Sequence, residues 1–224
     1  MKRMFVSDLH IGDRGSHFKD AIEAIKKENP NELYLIGDIL DLWKDKQYKI
    51  EDQYPDFFRF LKSLKIPVTY IVGNHDECLN RNRWYFDHVK FVDNLDIPAG
   101  DKIIRVIHGH EYDFMFIEFY PVSRILNYIH KIFLRYLHID LRYLRFGFSS
   151  KQKKNIGLFK RIVGLVEERA IKDNRNCSFL VMGHTHLPKK AYIDKVKYIN
   201  TGDWLTNRSY ATEEDGIFKL EGVL

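Results

Sequence analysis

Cysteine is scarce in this chain of 224 residues: Cys78 and Cys177 are the only two. So few leave no disulfide framework to read, and with no secretory signal in view the expected compartment is the reduced cytosol. Uninterrupted apolar runs are short, far below the roughly 20 residues that a membrane-spanning helix needs. Internal repeats and low-complexity tracts are missing too. Acidic residues nearly vanish from one long segment, 114–163, which holds only Glu118 and Asp140. What is present is 45% hydrophobic residues, enough for one sizeable core. The expected organisation is a single domain over 1–224 with an insertion, rather than two tandem domains.

Five short polar clusters carry the chemistry: Asp8-Leu9-His10, Gly37-Asp38 with Asp41, Gly73-Asn74-His75-Asp76, His108-Gly109-His110 and Gly183-His184-Thr185-His186. Each follows an apolar, β-rich run: Met4 to Val6, Leu33 to Ile36, Val68 to Val72, Ile103 to Ile107 and Phe179 to Met182. That places the clusters where buried strands end and loops begin. A ring of strand ends can gather residues distant in sequence around one site. Singly, each cluster also reads as ordinary turn chemistry, in which Asp or Asn satisfies loop backbone. The ordered set is what points to a shared site.

The residue types suit divalent cations. Carboxylate and imidazole ligands fit Mn, Fe, Zn and related ions, whereas a structural zinc site would more often use cysteine. One carboxylate between two ions can bridge them, and a pair about 3.5–4 Å apart can activate water and clamp the oxygens of an in-line displacement at phosphorus. Hydrolysis of a phosphoester or phosphoanhydride is the reaction class this chemistry suggests.

The ordered motifs Asp-x-His, Gly-Asp-x-x-Asp, Gly-Asn-His-Asp, a His after a strand and Gly-His-x-His resemble those of the calcineurin-like metallophosphoesterases, from Asp8 to His186. By that resemblance one metal would be held by Asp8, His10, Asp38 and His186, and a second by Asp38, Asn74, His108 and His184, with Asp38 bridging. Manganese is the first expectation, with Fe, Zn, Co or Ni as alternatives. His75 would act on the substrate, contacting a phosphoryl oxygen or protonating the leaving group, with Asp41 orienting its ring. Asp76 and His110 would support the ligands from behind. The alternative for Asp41 and His75 is a turn cap and a plain loop residue.

Gly37-Asp38-Ile39-Leu40-Asp41-Leu42-Trp43 lacks the Asp-Arg-Gly continuation of the protein serine/threonine phosphatases. Instead, Asp41-Leu42-Trp43, the aromatic insertion after His108, the run Gly183 to Pro188, and Asn200-Thr201-Gly202-Asp203-Trp204 are similar to the UDP-2,3-diacylglucosamine pyrophosphatase group, which cleaves a lipid-linked nucleotide sugar diphosphate. One position departs: that group has Arg where this chain has His75, the more general metallophosphoesterase residue. The resemblance implies a cytoplasmic enzyme that also works at the inner-membrane surface.

The order of elements through the first third is strand, helix, strand, helix, strand, with Asn29-Pro30-Asn31 and Lys65-Ile66-Pro67 closing the helices. Short strands follow Asp96. More follow Lys189, with turns at Asn200 to Gly202 and Glu213 to Gly216. Strands in both halves suggest two packed sheets flanked by helices, the four-layer α/β/β/α sandwich of the resembled family, with a helical cap insertion at about 114–163.

That insertion concentrates the positive charge. Ten Lys and Arg residues against two acids give it a formal balance of +8, while the whole chain carries +5. Ile125, Ile129, Ile132, Phe133, Tyr136, Leu137, Leu141 and Leu144 recur at helical spacing between the charges. Two readings stand: a helical pair with a solvated basic face, or a cap whose apolar side receives acyl chains while its cations meet a diphosphate or anionic head groups. The resemblance favours the cap. Lys151 and Lys154 in its second half, and Arg81 and Arg83 after the Gly-Asn-His-Asp loop, are candidate substrate contacts. A basic aromatic surface also suits single-stranded nucleic acid, so a nuclease or other phosphodiesterase is the rival function, and a non-catalytic metal-binding scaffold the third.

Overall fold

The computed structural model describes residues 1–79, 88–113 and 152–222. It divides into two compact units, Met1–His110 with Ile171–Leu224, and Glu111–Ala170. Most of the anticipated cap, 114–163, lies outside the described residues.

The first unit is an α/β sandwich of two mixed sheets. Its elements begin β1 (Lys2–Val6), α1 (Phe18–Glu28), β2 (Glu32–Ile36), α2 (Gln47–Gln53), α3 (Pro55–Ser63) and β3 (Val68–Ile71). Then come β4 (Val89–Val92), β5 (Asn94–Ala99) and β6 (Lys102–Ile107). After α4 (Gln152–Asp173) follow β7 (Phe179–Met182), β8 (Lys189–Ile193), β9 (Val196–Asn200), β10 (Ser209–Glu214) and β11 (Ile217–Gly222). One sheet has the order β11-β10-β1-β2-β3-β4 and the other β5-β6-β7-β9-β8.

The anticipated helix between β2 and β3 is two helices. Pro55 lacks the N–H that would continue α2 and instead opens α3 at its first position. α1 is amphipathic, burying Phe18, Ala21, Ile22, Ala24 and Ile25, and it stops where Asn29 turns left-handed at φ 44°.

The strands that precede the polar clusters read as unbroken apolar runs because both of their faces are covered. Met4, Val6, Leu33, Leu35, Val68 and Tyr70 point into the core shared with Ala21, Ile25, Phe57 and Leu61 of the helices. Their neighbours Phe5, Tyr34, Ile36 and Ile71 point the other way, into the core between the sheets, where Ile104, Val106, Phe179, Val181 and Ile199 meet them. An aromatic group joins the two sheets there. Phe5 stacks on Tyr34 with centroids 4.9 Å apart, and Phe218 touches both Phe5 at 5.7 Å and Phe179 at 5.0 Å.

β1, β2 and β3 are parallel, as are β6, β7 and β9. Consecutive parallel strands end on the same side, so the polar clusters emerge together at their C-terminal ends. The last hairpin crosses back to the first sheet, where β10 pairs antiparallel with β1, Lys2 facing Glu214. Its turn is Asp215-Gly216, both at positive φ, the conformation a two-residue hairpin loop requires.

In the second unit and the junction after it, α4 buries Val163, Val166, Ala170 and Ile171 along one stripe. No helix among the described residues is long and apolar enough to cross a membrane.

Removing the aromatic ring that bridges the sheets should be costly. Phe5→Ala is expected to lower unfolding free energy by about 3–5 kcal/mol, seen as a lower urea midpoint at unchanged slope. Tyr192→Ala, at a side chain 68% exposed, should stay within about 0.5 kcal/mol of the parent.

Candidate metal centre

The loops after β1, β2, β3, β6 and β7 lock onto one another before any side chain is considered. The amide of Asp8 donates to the Gly37 carbonyl at 3.1 Å, that of His10 to the Asp38 carbonyl at 2.8 Å, and that of Gly183 to the His108 carbonyl at 3.2 Å. Asp8, His10, Asp38, His184 and His186 all leave their strands at positive φ, between 47° and 64°. Non-glycine residues pay about 1–3 kcal/mol for strained backbone of this kind, which tends to gather at functional sites. The turns aim the side chains inward. Glycine makes room for them: a Cβ on Gly73 would lie 2.3 Å from Oδ1 of Asp38, and one on Gly183 2.4 Å from Oδ2 of Asp8.

Asp38 is at the centre, 2% exposed. Its Oδ2 is 3.7 Å from Nε2 of His10 and 3.9 Å from Nε2 of His75, and its Oδ1 is 3.4 Å from Nε2 of His108. The amide of His75 donates to Asp38 Oδ1 at 2.8 Å. On one side of it, Nε2 of His186 approaches Asp8 Oδ1 to 3.4 Å and Nε2 of His10 to 3.4 Å. On the other, Nε2 of His108 faces the side-chain oxygen of Asn74 at 3.2 Å, with the His184 ring 5.2 Å from that of His108.

Acceptors face acceptors here. Nδ1 of His108 donates to the Ile36 carbonyl at 2.9 Å, which turns Nε2 toward Asn74 and Asp38, where a bound cation would take the place of its proton. Oδ1 of Asp8 is buried with no hydrogen-bond partner among the described residues, although Oδ2 accepts the His184 amide at 3.0 Å. Ligand atoms of Asp8, His10 and His186, and of Asp38, His108 and His184, lie mutually within 4.8 Å. Oxygen and nitrogen ligand atoms converging in one cleft are what a divalent cation requires, so the residues present fit such ions.

The electrostatics express the same demand for positive charge. Burial opposes ionisation of Asp38, but His108, His75 and His10 hold its carboxyl well below the usual range. Burial also works against a charged His108, yet Asp38 outweighs it and the imidazole is pushed up to about 10. Desolvation dominates at His10, which falls to about 4 and so keeps one ring nitrogen unprotonated.

His75 is built differently. Its Nδ1 donates to Asp41 Oδ1 at 2.9 Å, and its ring lies flat against Trp43, centroids 3.9 Å apart at 22°. Burial lowers its basicity, but Asp38 and Asp41 together raise it above the usual histidine value. Lys44 stands 3.3 Å from Asp41 Oδ2 and also meets Asp13.

Asp76 accepts the amides of Ile39 and Leu40 at 3.2 and 2.9 Å, holding the loop that carries Asp38. Burial and the charge of Asp38 push its carboxyl up to about 7. The His110 ring lies 5.4 Å from His108 and 6.4 Å from His184. Arg81, Arg83 and Lys151 lie outside the described residues. Lys154 falls in α4, at a position whose side chain is also outside them.

Sequence reasoning passed over Trp43, Lys44, Asp203 and Asn207 as site residues. Nδ1 of His186 is 3.6 Å from Asp203 Oδ2, and Asn207 donates to the His186 carbonyl at 2.7 Å. The Asn-Thr-Gly-Asp-Trp run was visible as a motif, but only the return of β10 to β1 shows that it reaches His186.

The chain is similar to known proteins over most of its length. The chain is 24% identical over 99% of its length to UDP-2,3-diacylglucosamine hydrolase of Aeromonas salmonicida, of which it covers 93%. It is 24% identical over 71% of its length to a probable glycerophosphodiester phosphodiesterase of Arcobacter nitrofigilis, covering 68% of that protein. A dimetal phosphatase structure from Danio rerio superposes with a TM-score of 0.55 at 15% identity, over 99% of this chain and 95% of the other, which speaks to the fold. Residues 1–188 match the family model for calcineurin-like phosphoesterases, and with those strand-end clusters the chain belongs to that family of metal-dependent hydrolases.

Proposed function

We propose that this protein hydrolyses the diphosphate of a lipid-linked nucleotide sugar, using two divalent cations gathered around Asp38. One cation would be held by Asp8, His10, Asp38 and His186, the other by Asp38, Asn74, His108 and His184. The observation that carries the reading is the convergence of ligand atoms, above all the buried Asp8 Oδ1, which has no hydrogen-bond partner among the described residues, beside two imidazole nitrogens 3.4 Å apart. When bound, such ions supply Lewis acidity and activate water for attack at phosphorus. Manganese is the proposed metal.

The protein's own groups would do the rest. His75 presents Nε2 toward the centre while Nδ1 is tied to Asp41, so a proton on Nε2 is positioned for the oxygen of the leaving group. Asp41 keeps the ring oriented and favours its charged form. Trp43 blocks the opposite face of the imidazole and stops it from turning away.

For the substrate, support comes from relatives named for a diacylglucosamine nucleotide that align along 91–99% of this chain. The insertion at 114–163 adds a formal +8 interleaved with apolar residues. Such a segment suits an acyl chain and a diphosphate together, and would hold the protein against an anionic cytoplasmic membrane surface. A second reading, a phosphodiesterase acting on a small soluble diester, is favoured by the Arcobacter relative and by His75 in place of the arginine of the diacylglucosamine group.

Elemental analysis of the manganese-loaded protein should give two ions per chain, and stripping them with a chelator should abolish turnover. Asp38→Ala should lose both. A saturated wild type with at most one ion would sink the assignment.

His75→Ala should lower turnover by about 10²- to 10⁴-fold at unchanged metal content. The loss should shrink on a substrate with a p-nitrophenolate leaving group, which departs without a proton. Full retention on an alkyl diester would remove His75 from the chemistry.

Among UDP-sugars of increasing acyl length, kcat/KM should climb steeply, since burial gains about 0.8 kcal/mol per methylene. Equal efficiency on acylated and unacylated forms, or faster cleavage of a glycerophosphodiester or of single-stranded nucleic acid, would move the assignment to the soluble phosphodiesterase or nuclease.

A further inference from the structure

We propose that Asp203 is a positioning residue of the metal centre, holding the His186 ring with Nδ1 protonated so that the lone pair of Nε2 faces Asp8. The turn after β9, which lies beyond the residues 1–188 matched by the family model, thereby becomes part of the site. This inference rests on the two-cation reading above.

The geometry runs through the imidazole from one side to the other. Nε2 of His186 faces Asp8 Oδ1 and His10 Nε2, each at 3.4 Å. On the far side, Nδ1 faces the carboxylate of Asp203 at 3.6 Å. Carboxylates, which only accept hydrogen bonds, thus flank both ring nitrogens; with a cation between Nε2 and Asp8, Nε2 has to be unprotonated, and the ring keeps its proton on Nδ1, toward Asp203. Two other rings of the cleft have an acceptor at Nδ1, closer at 2.9 Å: the Ile36 carbonyl for His108 and Asp41 for His75. Asp203 is therefore the counterpart of those two acceptors.

Asp203 can do this because it is itself immobilised. It is 2% exposed, and its Oδ1 accepts the amides of Leu205 at 2.7 Å and Asn207 at 3.2 Å. Its Oδ2 accepts the Asn207 side-chain amide at 2.7 Å, and the same nitrogen donates to the His186 carbonyl at 2.7 Å. Asn207 thus ties the carboxylate to the backbone of the residue that the carboxylate orients. Asn200 adds a second tie, donating to the Gly183 carbonyl at 2.8 Å and to Thr185 Oγ1 at 2.9 Å. The loop bearing His184 and His186 is thus gripped at three points, two by Asn200 at the end of β9 and one by Asn207 in the turn that follows. A simple turn cap would account for the bonds to Leu205 and Asn207, but not for the face turned to His186.

Manganese titration of the chelator-stripped full chain separates these roles. The wild type should take up two equivalents. Asp203→Asn keeps an oxygen for the turn but presents an amide to the ring, and should weaken one equivalent by about 10- to 100-fold while sparing the other. At one to two equivalents its manganese resonance spectrum should change from a coupled pair to an isolated ion. In a His186→Ala background the same substitution should have no further effect on affinity. Asn207→Ala, which leaves the carboxylate but frees it, should weaken the same equivalent by a smaller factor and serves if Asp203→Asn does not fold. Unaltered binding in both variants, or an equal loss with and without His186, would overturn the inference while leaving the two-cation reading intact. A wild type that takes up no manganese would overturn that reading, and this one with it.

Discussion

Asp38 stands 3.4 to 3.9 Å from imidazole nitrogens of three histidines, in a place nearly closed to water. A carboxylate buried so deeply costs several kcal/mol unless positive charge or donors surround it. Around it stand further acceptors: Asn74 by its oxygen, Asp8 by an oxygen with no hydrogen-bond partner among the described residues, and His10 by a ring nitrogen that burial keeps unprotonated. Its unmet demand for cations explains the neighbouring features. Five residues accept left-handed backbone in order to face it, glycines yield the space that a Cβ would fill, and Asp76 is spent on holding its loop. These are local costs borne by two large cores on either side of the first sheet.

Much of this was legible from the chain alone, for a physical reason. Strands covered on both faces are largely apolar, so each run ends abruptly where the chain reaches the rim, and polar residues close to that break are the ones that converge in the cleft. Asp8, Asp38, Asn74, His108 and His184 each stand at such a break. The helix between β2 and β3 was misjudged because Ile50 and Phe57 carry one apolar stripe across Pro55, and periodicity does not register a missing N–H. Asp203 and Trp43 were not legible as site residues. Their roles depend on the sheet that β10 joins and on the rotamer that lays an indole over His75, neither of which leaves a periodic signature.

The two kinds of histidine in this cleft show how one scaffold divides its labour. Those with free Nε2 lone pairs and a backbone or carboxylate acceptor behind them are suited to bind. His75, with a carboxylate at Nδ1 and an aromatic face against its ring, is suited to exchange a proton. The difference lies in what surrounds each ring, since a carboxylate stands at Nδ1 of both His75 and His186 while His75 also has an indole on its face, and for that reason likeness of fold alone says little about substrate.

The return of β10 to β1 has a consequence for biosynthesis. Lys2 pairs with Glu214, and the amide of Trp204 donates to the Asp8 carbonyl at 3.1 Å, so the opening residues of the chain find their neighbours some 200 residues later. Pairings this distant carry a large loop-closure entropy and slow folding. While the ribosome is still translating, β1 can zip only against β2, its other edge stays bare, and the cleft lacks the turn that grips His186. Completion of the cleft is thereby tied to the arrival of β10: until that strand pairs with β1, the bare edge stays open to other chains.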